Sequence, residues 1–111
     1  MVVMVYDEKL AQRIRNKVLR MKGVDEKKMF GGVAFMLKGK MFVGVVKNEL
    51  MVRVGKENHE KAISKKGART MDFTGKPMIG FVFVKSDGMK TDAQLSGWID
   101  MAADFVAKMQ K

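Results

Sequence analysis

Between residues 7 and 22 the apolar positions Leu10, Ala11, Ile14, Val18 and Met21 recur at three- and four-residue spacing. That spacing places them on one face of a helix. Asp7 is a good N-cap for it, and Gly23 just past Lys22 a good stop. Lys9, Arg13, Lys17 and Arg20 recur at the same period and form a basic stripe on the opposite face. Short apolar runs punctuated by glycine follow. Residues 24–30 read as a strand ending at Gly31-Gly32, a favoured pair for a two-residue hairpin turn. Residues 33–38, 41–46 and 50–54 read as three more strands, separated by Gly39 and by Lys47-Asn48-Glu49 and closed by Gly55. Connections this short force antiparallel neighbours, because a parallel pair needs a long crossover. The expectation is a four-stranded meander.

Residues 58–66 fit a short middle helix ended by Gly67. Met71-Asp72-Phe73 then leads into a turn at Thr74-Gly75-Lys76-Pro77, and residues 78–85 form a further strand, broken by Ser86-Asp87-Gly88. The last helix opens on a capping box, Thr91 with Gln94 three residues on. Its buried face is expected to be Leu95, Trp98, Ile99, Ala102, Phe105, Val106 and Met109. Strands and helices are segregated along the chain, so the fold class is α+β: an antiparallel sheet flanked by an N-terminal, a short middle and a C-terminal helix.

Two strands break the alternation of a half-exposed sheet. Val43-Gly44-Val45-Val46 and Phe81-Val82-Phe83-Val84 are apolar on both faces. Two long helices and a short one cover one face of a sheet, not two. The second face is therefore expected to meet another subunit or a partner, or to line a pocket, unless strand curvature and the short helix hide it. A homodimer is the expectation.

The chain has 111 residues, a size that makes one domain spanning residues 1–111 with its own core. It has no cysteine, so disulfides and Cys-ligated zinc are impossible. The apolar opening at residues 1–5 is cut short by Asp7, Glu8 and Lys9, too soon for a signal core or a membrane span. A cytoplasmic location without a membrane partner is expected. The net charge of +10 attracts polyanions in general.

Catalytic chemistry is hard to assemble. His59 is the only histidine, and its charged neighbours argue for an ordinary exposed side chain. The carboxylates are scattered, and no phosphate-binding glycine loop is present. No catalytic, cofactor-binding or metal-binding residue is assigned, and no enzyme is expected. Twelve methionines, among them Met29, Met36, Met41, Met51 and Met78 on strands, suit adaptable packing. Nucleic-acid motifs are absent, because the basic-Gly-aromatic pattern of an RNA-binding sheet is missing. What remains for a polyanion is electrostatic: Arg13, Lys17 and Arg20 on the first helix, Lys27 and Lys28, and the segment holding Lys56, Lys61, Lys65, Lys66 and Arg69.

Lys28-Met29-Phe30-Gly31-Gly32-Val33-Ala34-Phe35-Met36-Leu37, then Gly39-Lys40-Met41-Phe42 and Leu50-Met51-Val52-Arg53-Val54, resemble the TfoX N-terminal domain. Met71 to Met78 with Gly80-Phe81-Val82-Phe83-Val84 is similar to one branch of that family. Asp92-Ala93-Gln94-Leu95 with Trp98 and Ala102 fits its closing helix. The resemblance runs from Leu10 to about Val106. It implies an α+β domain with a helix-flanked antiparallel sheet, of the stand-alone kind. It also implies a link to the TfoX/Sxy regulators of bacterial competence and transformation, which carry a second, helical domain. No catalytic residues carry over. The family positions Phe30, Gly31, Gly32, Phe35, Gly80 and Trp98 are expected to be structural. The functional expectation is a non-enzymatic regulatory or adaptor domain acting through protein contact, with a weakly selective nucleic-acid-associated factor as the alternative.

Overall fold

The structure is a computed structural model and describes residues 7–29, 32–73 and 76–109. Helix α1 spans Glu8–Val18. Strands β1 (Val24–Met29), β2 (Gly32–Leu37), β3 (Lys40–Val46) and β4 (Glu49–Arg53) follow as the expected meander. Helix α2 (His59–Ile63), strands β5 (Ala68–Phe73) and β6 (Lys76–Val84), a 3-10 turn at Ser86–Gly88 and helix α3 (Asp92–Met109) complete the chain. The strands form a single antiparallel sheet in the order β1-β2-β3-β4-β6-β5. The β5–β6 hairpin folds back so that β6 lies beside β4, with Leu50 opposite Val84 and Arg53 opposite Phe81.

Local signals explain the helix starts. The Asp7 carboxylate accepts the Leu10 N–H at 3.1 Å, and the Asp7 N–H donates to the Lys47 carbonyl at 2.6 Å. One residue thus caps α1 and ties it to the β3–β4 turn. At α3, Thr91 Oγ1 accepts the Gln94 N–H at 3.1 Å while Gln94 Oε1 accepts the Thr91 N–H at 3.0 Å, the reciprocal bonds of a capping box.

All three helices contribute to one apolar cluster on one face of the sheet. Leu10, Ala11, Ile14 and Val18 of α1 and Leu95, Trp98, Ile99, Ala102 and Val106 of α3 meet Val33, Phe35, Val45, Leu50, Val52, Val82 and Val84 from the strands. Ala62 of α2 joins them. A register shift between β2 and β3 pairs Phe35 with Val43 and Met36 with Met41, leaving Phe42 as the extra residue. This bulge sends both Phe42 and Val43 into the core, where neither is exposed. Truncating a side chain as buried as Ile14 or Phe42 to alanine costs about 2–5 kcal/mol.

Several boundaries differ from the sequence reading. Helix α1 stops at Val18 rather than Lys22, and Leu19 beyond it is 81% exposed. The chain turns instead at Gly23, whose φ is +81°. On α3, Phe105 is only partly buried and Met109 is 37% exposed. The helix there has run past the part of the sheet that covers its apolar stripe. Residues 68–73, of which only the end had a visible signal, form a full edge strand. Phe30 and Gly31 lie outside the described residues. Gly32 belongs to β2 opposite Met29, not to a turn. A Cβ at Gly32 would collide with the Val45 carbonyl oxygen, so this glycine admits the neighbouring backbone.

Candidate functional site

Alternation along each strand determines what lies on the face away from the helices. Val33 and Phe35 enter the main core, so Ala34 and Met36 face the other way. The same logic places Met41 and Val46 of β3, Met51 and Arg53 of β4, and Phe81 and Phe83 of β6 on that second face. Met51 and Phe83 form a second buried cluster, with Met41, Val46, Met78 and Phe81 packed against it. Met51 is 4% and Phe83 6% exposed, whereas the surrounding members are half-buried. Among the described residues no helix lies on this face.

Two guanidinium groups sit among these rings. The Arg53 Cζ lies 5.4 Å from the Phe81 ring centre and 5.7 Å from that of Phe105. Arg53 Nη1 also donates to the Met41 carbonyl, at a long 3.4 Å. Arg69 lies 4.9 Å from the Phe83 ring centre and donates to both carboxylate oxygens of Glu49, at 2.9 and 3.1 Å. Both positions are stacked cation–aromatic contacts, stronger where water is excluded. Arg53 has no carboxylate partner among the described residues.

The registry of this face depends on a residue beneath it. His59 is 5% exposed, not a surface histidine as its charged neighbours implied. Its Nδ1 accepts the Gly80 N–H at 3.0 Å, and its Nε2 lies 3.0 Å from Thr70 Oγ1. A backbone N–H can only donate, so Nδ1 carries the lone pair and Nε2–H donates to the threonine. Gly80 has φ +99°, and its carbonyl accepts the N–H groups of both Val54 and Gly55, at 2.8 and 3.1 Å. It falls in the stretch where pairing with β5 shifts register, since Thr70 faces Val82 while Met71 faces Met78. His59 therefore holds open an irregularity in β6 whose next residue, Phe81, stands on the second face. Both ring nitrogens are committed to these two hydrogen bonds. Among the described residues no group of three or more His, Asp or Glu side chains could hold a metal ion.

The basic residues selected from the sequence do not form one patch. Arg13 donates to the Thr91 carbonyl at 3.5 Å and lies 3.7 Å from Asp92, so it braces α1 against the start of α3. Lys17 is half-buried on α1, and Arg20 is exposed in the turn beyond its end. Lys28 faces Val33 across the β1–β2 ladder, on the helix side, whereas Lys27 faces Ala34 and so lies on the second face. Arg15, which the sequence did not single out, is bound by Glu26 at 2.7 Å through both Nε and Nη2, and by Glu8 through Nη1. The hydrogen bonds it donates to Glu26, then the one to Glu8, raise this guanidinium further above its ordinary range. Of the family positions, Phe35 is a core residue, and Trp98 Nε1 donates to the Gly88 carbonyl at 3.1 Å from within the core.

A cavity of about 510 Å³ opens between the β4–α2 connection and the C-terminal half of α3. Met101 and Phe105 line it together with Lys56, Glu57, Asp104 and Lys108. Its lining includes no serine, histidine or cysteine. No helix among the described residues is long and apolar enough to cross a membrane.

No curated protein matches the chain. The family description of the TfoX N-terminal domain matches residues 16–106, from the last turn of α1 to the last buried turn of α3. That span takes in the whole sheet and both of its faces, and by it the chain belongs to the TfoX N-terminal domain family.

Proposed function

We propose that this protein is a non-enzymatic regulatory or adaptor domain that works by protein–protein contact through the second face of its sheet. The observation that carries this reading is the separate apolar cluster of Met51 and Phe83, with its half-buried rim, on the side without helices. Its half-buried rim of Met41, Val46, Met78 and Phe81 leaves part of this apolar surface open to a partner. Membership of a family that includes competence regulators supports a regulatory role. A cysteine-free chain fits the reducing cytoplasm. A second copy of the chain is one partner this face admits.

Site-specific photocrosslinking in cells tests the proposal. A photoreactive residue at Met41 is expected to capture protein, and the same residue at Lys108 on the helix side is not. Equal capture at the two positions, or capture at Lys108 alone, overturns the reading.

The second reading is a basic nucleic-acid-associated factor. It rests on Arg13, Lys17 and Arg20 lying along α1 and its end, with Lys28 on the same side of the sheet. Binding of that kind is weakly sequence-selective and falls steeply with salt. A salt titration on generic duplex and single-stranded DNA decides it, and no binding at low salt removes it.

A further inference from the structure

Resting on the protein-contact reading above, we infer that the second sheet face takes an acidic amphipathic helix from another protein, seated on the half-buried rim of Met41, Val46 and Phe81 over the Met51–Phe83 cluster and held by Arg53. The floor is made of thioethers and phenyl rings, which adapt to a range of apolar anchors. The opposite face of the same sheet already accepts α1 and α3 on its alternate residues. A helix on the second face repeats that packing and produces a three-layer arrangement.

Charge selects the kind of helix. The Arg53 guanidinium has five N–H donors and gives one long bond to the Met41 carbonyl. It is half-buried, lies between two aromatic rings and lacks a carboxylate among the described residues. Lys27 stands exposed on the same face, beside Asp25 of the same strand, and Glu49 there is already held by Arg69. An incoming Asp or Glu meets Arg53 in two-pronged geometry, on a surface where neighbouring apolar groups exclude water. A second copy of the chain fits less well. An isologous contact sets one patch against itself. The carboxylates of this face that a second copy could bring to Arg53 are Asp25 and Glu49, the latter already held by Arg69, and each chain carries +10. Juxtaposed like charges are a standard means of rejecting a partner.

The test follows methionine ε-methyl signals of the full-length, carbon-13-methionine-labelled protein. The probes are a synthetic amphipathic helix of about five turns with leucine on one side and glutamate on the other, and its lysine-for-glutamate counterpart. The glutamate helix is expected to shift the Met41 and Met51 methyls, with affinity that weakens as salt rises. Arg53→Gln should weaken binding about tenfold, Arg53→Lys less, and Lys108→Glu on the helix side not at all. Thermal melts of the variants separate loss of binding from loss of fold. Equal binding of the lysine helix overturns the acidic partner while leaving protein contact at this face intact. Shifts of the same methyls on raising protein concentration alone, with none from the peptide, assign the face to a second copy and also overturn the inference. Loss of binding in Lys108→Glu but not in Arg53→Gln moves the site to the α3 cavity and overturns both readings.

Discussion

His59→Ala is expected to be among the most damaging single changes outside the apolar core. The substitution removes the Nδ1 acceptor of the Gly80 N–H and the Nε2 partner of Thr70. Gly80 is buried, so its amide loses its acceptor without gaining water. An orphaned buried donor of this kind costs about 1–3 kcal/mol. Thr70 is only partly buried, and its hydroxyl can turn to solvent, so its loss contributes roughly another 0.5–1 kcal/mol. Losing the packed ring also leaves a cavity, at a cost of similar size. The sum is on the order of 2–5 kcal/mol, a large part of the stability of a domain of this size. It corresponds to a fall in Tm of roughly 10–20 °C.

Urea unfolding monitored by the fluorescence of Trp98, the single tryptophan, measures it directly. Two further variants separate the contributions. The side-chain oxygen of asparagine stands where Nδ1 does, so His59→Asn keeps an acceptor for Gly80. Glutamine places its oxygen where Nε2 stands, and His59→Gln keeps a partner for Thr70 only. The expected order of stability is wild type, then Asn, then Gln, with Ala lowest. A His59→Ala protein within about 0.5 kcal/mol of wild type, or a Gln variant more stable than Asn, refutes the claim that the bond to Gly80 is the larger of the two contributions. Because Phe81 follows Gly80, the Ala variant should also disturb the Met51 methyl on the opposite face of the sheet.

Gly32→Ala places a Cβ against the Val45 carbonyl, so strand β2 must shift, and a loss of several kcal/mol or failure to yield soluble protein is expected in expression and melting trials. Arg15→Gln releases Glu8 and Glu26, which are partly exposed; a loss of about 0.5–1 kcal/mol is expected, and it should shrink in high salt when unfolding is compared at two ionic strengths. Thr91→Ala removes the acceptor of the Gln94 N–H at the start of α3, and urea unfolding should record a loss of about 1 kcal/mol.

The parts legible in the chain are those decided by near neighbours. The Asp7 cap, the capping box of α3, the apolar stripe from Leu10 to Val18 and the short connections of the meander depend on residues a few positions apart. Local sterics and hydrogen bonds settle them before any tertiary contact forms. The unbroken apolar runs of β3 and β6 also foretold a second apolar face, because side-chain direction alternates whatever the strand's neighbours are. Tertiary structure decided the rest. That β6 lies beside β4, that Gly32 faces the Val45 carbonyl and that Arg53 lies over Phe81 depends on pairings between distant residues, which no local period encodes. His59 shows the difference most plainly. Its neighbours in sequence are charged and solvent-facing, but its neighbours in space are Gly80 and Thr70, and the latter determine its burial and its role.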